Sequence, residues 1–266
     1  MTQVTRKMPS FEGVAAGQTA TCRLPIGLTY NQLVIAYSGV TLAQMDEIRL
    51  IANGKTIQRW VGGSRIDVVN QFDGRNGAAG VLLLDMERYG LRTRAGSELT
   101  ALGTGVKSKN GPTITTLSLE IDINAAAAAP VLSAKAVQSE PREAGVLKHV
   151  RTFGYDPAAA GEFEIADLPR LGMMNRIICA SSDIDSIRLQ RDGYTVFERD
   201  TAENEAIQSD GVRVPQAGYW VIDFSEAGNG QDALNIAGVK DLRFTLDMAA
   251  AGHVDVIVEY LAPLSN

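Results

Sequence analysis

From Thr19 to Leu24 the chain alternates, with Ala20, Cys22 and Leu24 on one face and Thr19, Thr21 and Arg23 on the other. A period of two over such a stretch is a half-buried strand. The pattern is strictest near residue 120, where Leu117, Leu119, Ile121 and Ile123 alternate with Ser118, Glu120 and Asp122. One face there belongs to a core and the other to water. Phe163 and Ile165 alternate with Glu162 and Glu164 in the same way. Leu33 to Tyr37, Val81 to Met86, Arg176 to Ala180, Tyr219 to Phe224, Leu242 to Met248 and Val254 to Leu261 are short apolar runs that read as further strands. Leu99 to Leu102 is expected to pair with Thr113 to Ile123 across the loop holding Asn110-Gly111. Ser64 to Phe72 and Thr201 to Gln208 read as short helices, the second acidic in its first turn.

The pattern repeats. Ile48-Arg49-Leu50, Asn53-Gly54 and Thr56-Ile57 return as Ile187-Arg188-Leu189, Asp192-Gly193 and Thr195-Val196, 139 residues later. Asn-Gly and Asp-Gly between apolar residues mark hairpins, because a type I′ turn needs positive φ at both central positions. Gly80 to Met86 resembles Gly218 to Phe224 at an offset of 138, and Asp73-Gly74 matches Asp210-Gly211 at 137. Leu117 to Ile121 resembles Val256 to Tyr260 at 139. So long a period is not that of a solenoid, whose unit is ~20–50 residues; each copy is a whole domain. The expected fold is all-β: two tandem eight-stranded jelly rolls with short helices in the loops. The expected limits are 1–130 for the N-terminal jelly roll, 131–157 for a connector and 158–266 for the C-terminal jelly roll. Pro130 stops the run Ala125 to Ala129, whose small side chains allow close approach of packed bodies. The connector shows no clear period and carries Lys148, His149 and Arg151. Residues 1–13 read as a polar arm.

Length suits this division, since 266 residues make two domains of ordinary size. A net charge of −6 argues against a general nucleic-acid binder, which needs a basic face to release counterions. No apolar window is long enough to cross a bilayer, and no apolar stretch follows Arg6 and Lys7 as in a signal peptide. Cys22 and Cys179 both follow strand patterns and read as buried reduced thiols.

Chemistry is sparse. A metal-binding double cupin needs clustered histidines, and this chain has only His149 and His253, the latter expected in a hairpin loop. Gly228 to Ala233 fits a loose G-x-G-x-x-A pattern, but no long helix follows, so a surface loop is expected. Gly103 to Ser108 lacks the Walker order, and no nucleophile elbow exists. The carboxylates Asp85, Asp223, Glu120 and Glu259 recur between copies. They read either as cation bridges at subunit contacts or as the wet face of alternating strands. Trp60 and Trp220 read as core or interface anchors. No catalytic or cofactor-binding residue is assigned, and metal ligands are unknown. A chain of this kind is built to form a shape and to bind copies of itself.

Specific stretches carry a closer likeness. Val14-Ala15-Ala16-Gly17, Leu24 to Tyr30 and Tyr37-Ser38-Gly39-Val40 resemble the start of corticovirus major capsid proteins, of the double jelly-roll lineage. So do Leu132-Ser133-Ala134, Glu164 to Arg170, Asp241-Leu242-Arg243 and Val258-Glu259-Tyr260. The likeness runs in order from about residue 12 to 262 and thins between 60 and 112 and between 195 and 236. It implies a structural protein without enzymatic activity. Such proteins form homotrimers whose six jelly rolls make a pseudo-hexagonal tile. The tiles meet neighbouring trimers and a penton protein in an icosahedral phage shell, around an internal membrane and a DNA genome. The resemblance further implies assembly in the bacterial host cytoplasm and calcium at subunit contacts, for which no ligand matches residue by residue. No cofactor is required. Arg6 and Lys7 read either as contacts to anionic lipid headgroups, at ~1 kcal/mol per charge, or as part of a frayed terminus. Two other readings remain at this stage. One is a tandem β-sandwich that binds carbohydrate or a receptor, which needs exposed aromatics. The other is a hydrolase on the same scaffold, which needs paired acids in a cleft.

Overall fold

The alternating stretches do form the sheets. In the computed structural model of the chain, which describes residues 3–75, 77–109 and 111–264, Leu117, Leu119, Ile121 and Ile123 are all buried while Ser118, Glu120 and Asp122 are half-exposed. Asn110, of the expected Asn110-Gly111 turn, lies outside the described residues.

The chain divides into two units. The first holds the described residues up to Gln71, then Arg75–Arg151, and the end of the chain from Ala262; the second holds Phe72–Gly74 and Thr152–Leu261. In the first unit, in chain order, the elements are β1 (Val4–Lys7), β2 (Thr19–Arg23), β3 (Thr29–Ser38), β4 (Met45–Ala52), β5 (Lys55–Val61), α1 (Gly63–Phe72, its last residue in the second unit), β6 (Val81–Asp85), α2 (Arg94–Glu98), β7 (Leu102–Gly103), β8 (Leu117–Ile123) and β9 (Val131–Ser139). One sheet runs β5-β4-β8-β2; the other runs β1-β9-β3-β6, with β7 added to β3. Leu33, Ile35, Leu82 and Leu84 of one sheet and Ile48, Leu50, Leu119 and Ile121 of the other are all buried.

Strand β10 (Val146–Tyr155) carries the chain into the second unit. There follow β11 (Gly161–Ile165), β12 (Met173–Ala180), β13 (Ile184–Arg191), β14 (Tyr194–Asp200), α3 (Thr201–Gln208), β15 (Tyr219–Asp223), β16 (Leu234–Asn235), β17 (Leu242–Met248) and β18 (Val254–Pro263). One sheet runs β11-β17-β13-β14, and β12 lies between β15 and β18 with β16 also on β12. Its core joins Ile177, Ile187, Leu189, Phe244, Leu246, Val256 and Tyr260.

Strands β2 to β9 therefore match β11 to β18 one for one, in the same pairing order. The two hairpin turns agree down to single bonds. Asn53 and Asp192 sit at φ 51° and 48°, each followed by a glycine at positive φ. The Asn53 Oδ1 accepts the Thr115 and Thr116 N–H groups at 2.9 and 3.2 Å. The Asp192 Oδ1 accepts those of Lys240 and Asp241, both at 3.0 Å. Each side chain thus ties the hairpin to the residues that lead into β8 or β17. The helices repeat as well: Asn70 of α1 donates to the Leu83 carbonyl at 3.0 Å, and Gln208 of α3 to the Val221 carbonyl at 2.8 Å.

Several expectations need correcting. The counterpart of β8 is β17, not β18: β8 pairs with β4 and β2 as β17 pairs with β13 and β11. Loop length hides this. Thirteen residues (104–116) separate β7 from β8, but only six (236–241) separate β16 from β17, so the offset falls from 132 at β7 to 125 at β8. Two strands with one buried face resemble each other whatever their partners, which is why Leu117 to Ile121 appears to match Val256 to Tyr260. The stretch 131–157 is not a plain connector. Val131–Ser139 is β9, the eighth strand of the first jelly roll, which pairs with β3 as β18 pairs with β12. Leu102 pairs with Tyr30 rather than across the 104–116 loop. The polar arm contains β1, antiparallel to β9, with Arg6 opposite Ala136. The Ala125 to Ala129 run forms turns, and its close neighbour is Gly39, where a Cβ would stand 1.9 Å from the Ala129 carbonyl oxygen.

Candidate functional site

In both units a bulge builds the same charged corner. The register of β3 slips between Tyr30 and Gln32, and that of β12 between Met174 and Arg176. The extra residues are Asn31 and Asn175, and a bulge re-aims the side chain that follows it. Each asparagine carbonyl accepts an N–H from just beyond the neighbouring strand: Met86 at 3.0 Å in one unit, Phe224 at 3.1 Å in the other. The next side chain then meets the carboxylate that ends that strand. Gln32 donates to Asp85 at 2.7 Å; Arg176 donates to Asp223 at 3.3 Å. A second arginine reaches the same carboxylate from the turn after the helix. Arg75 lies 2.6 Å from Asp85, and Arg213 2.7 Å from Asp223.

The filling of the two corners differs. In the second unit Arg176 is wholly buried, 2.9 Å from Asp73 on one side, with the Phe72 ring 5.1 Å from its guanidinium carbon. Asn175 donates to Glu259 at 3.0 Å, and Arg213 also donates to the carbonyls of Ser225 and Glu226. Burial alone would raise the Asp223 carboxyl, but the charges of Arg176 and Arg213 win and hold it down at about 2. Burial pushes Asp73 upward against the pull of Arg176. In the first unit the corner is open, as a pocket of about 390 Å³ lined by Asn31, Gln32, Arg75, Asp85, Glu87 and Arg88, among others. Asn31 is buried and donates to Glu87, while its Oδ1 has no partner among the described residues. Burial raises the Glu87 carboxyl. Arg75 stacks on the Tyr89 ring at 3.7 Å.

The recurring carboxylates thus resolve one by one. Asp85 and Asp223 are true counterparts, and each is held by arginine. Glu120 and Glu259 are not counterparts, because they lie on β8 and β18. Glu120 is half-buried against Arg49, which also bonds Glu47 and Asp122 at 2.8 and 2.7 Å. Glu259 is buried beside Asn175. Glu120 keeps the half-exposed face of β8, as the wet-face reading expects, while Asp223 and Glu259 are buried. A calcium ion needs carboxylates free to turn six or more oxygens on it, and three of these four are already neutralised by guanidinium groups, so this set does not fit the ion. Among the described residues no group of three or more His, Cys, Asp or Glu is arranged to hold a metal. Arg75, Arg213, Asn31 and Asn175 were not singled out in the sequence. The one available signal, an Asp-Gly followed by arginine in both copies, is blurred by the single extra residue Val212.

The remaining candidates fall into place. Trp60 and Trp220 are buried, their indole N–H groups donating to Gln58 and Thr201. Cys22 and Cys179 are buried free thiols. His149 is buried against the Ala262 carbonyl at 3.2 Å, and burial lowers its pKa. His253 is in the loop before β18, between Asp156 at 2.7 Å and Asp255 at 3.1 Å. Residues 228–233 form a surface loop with one short turn of 3-10 helix. Arg6 and Lys7 are exposed on β1.

Two matching eight-stranded jelly rolls on one chain are the double jelly roll of viral major capsid proteins. The fold is shared with STIV MCP, at a TM-score of 0.72 and 13% identity over 98% of this chain and 97% of that one. It is shared also with the PBCV-1 virus capsid protein, at 0.67 and 9% over 98% and 93%. The viral coat protein P2 N-terminal domain family matches residues 5–139, and the viral coat protein P2 C-terminal domain family matches 147–264. The major capsid protein P2 of Pseudoalteromonas phage PM2 is 30% identical over 97% of this chain and 96% of its own length. The crystal structure of the major capsid protein P2 from bacteriophage PM2 superposes at a TM-score of 0.92, with 27% identity over 100% and 99% of the two chains. This chain belongs to the viral coat protein P2 family. Its homologues are structural capsid proteins, not enzymes. The N-terminal family ends at 139, the last residue of β9, in keeping with β9 as part of the first jelly roll.

Proposed function

We propose that three copies of this chain close into a homotrimer that serves as a pseudo-hexagonal tile of an icosahedral phage shell. The observation that carries this is the one-for-one match of β2–β9 with β11–β18. A ring of three chains then presents six similar bodies, and threefold symmetry approximates sixfold with one gene product. A head-to-tail contact of this kind closes when its rotation is a third of a turn. A permanent trimer of this sort buries more than ~2,000 Å² per contact, while tile-to-tile contacts are smaller and add through multivalency. The shell encloses an internal membrane and the DNA genome, meets a penton protein at its vertices, and is assembled in the host cytoplasm. Arg6 and Lys7, exposed on β1, face the lipid; their charge reversal lowers attachment to anionic vesicles. Unchanged attachment would remove that contact. Calcium takes no part in this reading.

Native mass spectrometry and electron microscopy test the trimer together. The expected particle holds three 28.5-kDa chains and has a hexagonal outline. A clean monomer at micromolar concentration would overturn it.

A further inference from the structure

The open pocket of the first unit and the filled corner of the second are the same place in the repeat. What fills the second is known: Phe72–Gly74, the turn that ends α1, is part of that unit. Phe72 is 1% exposed and lies under Arg176, Asp73 holds the far side of that guanidinium, and the Val214 N–H donates to the Phe72 carbonyl at 2.8 Å. Gly74 passes so close to the Val212 carbonyl that a Cβ would stand 2.8 Å from its oxygen.

In the second copy the counterpart of that turn is Ser209–Gly211, which ends α3. It has the same Asp-Gly pair and the same positive φ at glycine, 72° for Gly74 and 82° for Gly211. Its surroundings are opposite. Ser209, Asp210 and Gly211 are all exposed, and the apolar shoulders Ile207, Val212 and Val214 stand in water at 43%, 49% and 49%. One turn of the repeat is seated; the other protrudes. One corner of the repeat is filled; the other is open.

We propose that the Ser209–Gly211 turn of a second copy seats in the first unit's pocket, with the Asp210 carboxylate toward Arg75 and Arg88. This rests on the homotrimer reading and names its contact. The filled corner is the precedent: Asp73 shares Arg176 with Asp223 there, and the open pocket offers Arg75 and Arg88 beside the acids Asp85 and Glu87. Asp210 already accepts the N–H groups of Val212 and Arg213 and a bond from Arg213 Nη1. A carboxylate offers about four acceptor sites, so one stays available for the neighbour. A donor on the incoming turn also gives the buried Asn31 Oδ1 its missing partner. Because the turn belongs to one unit and the pocket to the other, the contact is head-to-tail and suits a closed ring.

The test is site-directed cross-linking in full-length protein. Ser209→Cys and Tyr89→Cys chains, carrying different tags, are co-expressed and mildly oxidised; Tyr89 is half-exposed at the pocket mouth, and the native thiols are buried. The expected product is a mixed disulfide-linked pair. Ser209→Cys with Tyr194→Cys, at the exposed tip of the β13–β14 hairpin, is expected to give none. Native mass is read on the same samples. A trimer with no mixed pair, or with equal cross-linking at Tyr194, overturns this contact and leaves the trimer standing. A monomer overturns the trimer itself and the contact with it. As a second variant, Ile207→Glu on the outer face of α3 is expected to raise the trimer dissociation constant by about tenfold or more without altering the circular dichroism of the chain. An unchanged dissociation constant counts against the seat.

Discussion

The hairpins at Asn53 and Asp192 share the same pair of accepted N–H bonds, whereas the corners at Gln32 and Arg176 share a frame and differ in what fills it. The hairpins repeat because the backbone demands it: only a residue that tolerates positive φ, with an acceptor side chain, closes a type I′ turn and catches the next strand. The corners differ because nothing in the backbone dictates whether a carboxylate is met by an amide or a guanidinium. The two copies share the parts that fold the sandwich and differ in what fills the corner.

The largest expected effect separates the corners most sharply. Arg176→Met strips Asp73 and Asp223 of their shared cation in a buried place, and should cost the second unit ~3–5 kcal/mol in urea denaturation. Gln32→Met at the matching position loses one partly exposed hydrogen bond and should cost ~1 kcal/mol. Equal losses would break the comparison. Next comes the shared frame: Asn53→Ala removes a side chain that accepts two N–H groups at a left-handed position and should cost ~1–3 kcal/mol. Asp192→Ala should destabilise in the same direction, seen by hydrogen exchange at Lys240 and Asp241.

Acid sharpens the contrast further. Asp223 is held down at about 2, below its unfolded value, so its ion pairs contribute fully above the ordinary aspartate range. That contribution drains away as pH falls toward about 2, and thermal unfolding between pH 4 and 2 should show it, with Arg213→Met flattening the slope. The smallest effect is at His253, whose pKa is raised by the hydrogen bonds to Asp156 and then Asp255. The contribution of the imidazolium is present in acid and is lost as pH rises through that raised value. Titration by NMR should find the ring charged above the usual histidine range, and Asp156→Asn should bring it back.

Much of the frame was legible in the chain. Asn53-Gly54 and Asp192-Gly193 announce their turns through local steric demands, and both helices stand where Ser64 to Phe72 and Thr201 to Gln208 place them. Strand β9 was missed because its inward positions include Ala134 and Ala136, too small to mark an apolar period, with Lys135 between them. Strand β1 is exposed at every residue, and an edge strand of that kind has no buried face to betray it. The ionic corner was out of reach for a different reason. Asp73 and Arg176 lie 103 positions apart, and the residues linking them obey no local rule.

The two thiols carry a last consequence. Burial pushes the Cys22 thiol up to about 11 and that of Cys179 higher still, and the Cys22 S–H rests on the Pro9 carbonyl. A thiol kept protonated and out of reach neither exchanges disulfides nor oxidises readily. A coat made of such chains is therefore held by packing, with no sulfur chemistry to defend against changes in its redox surroundings.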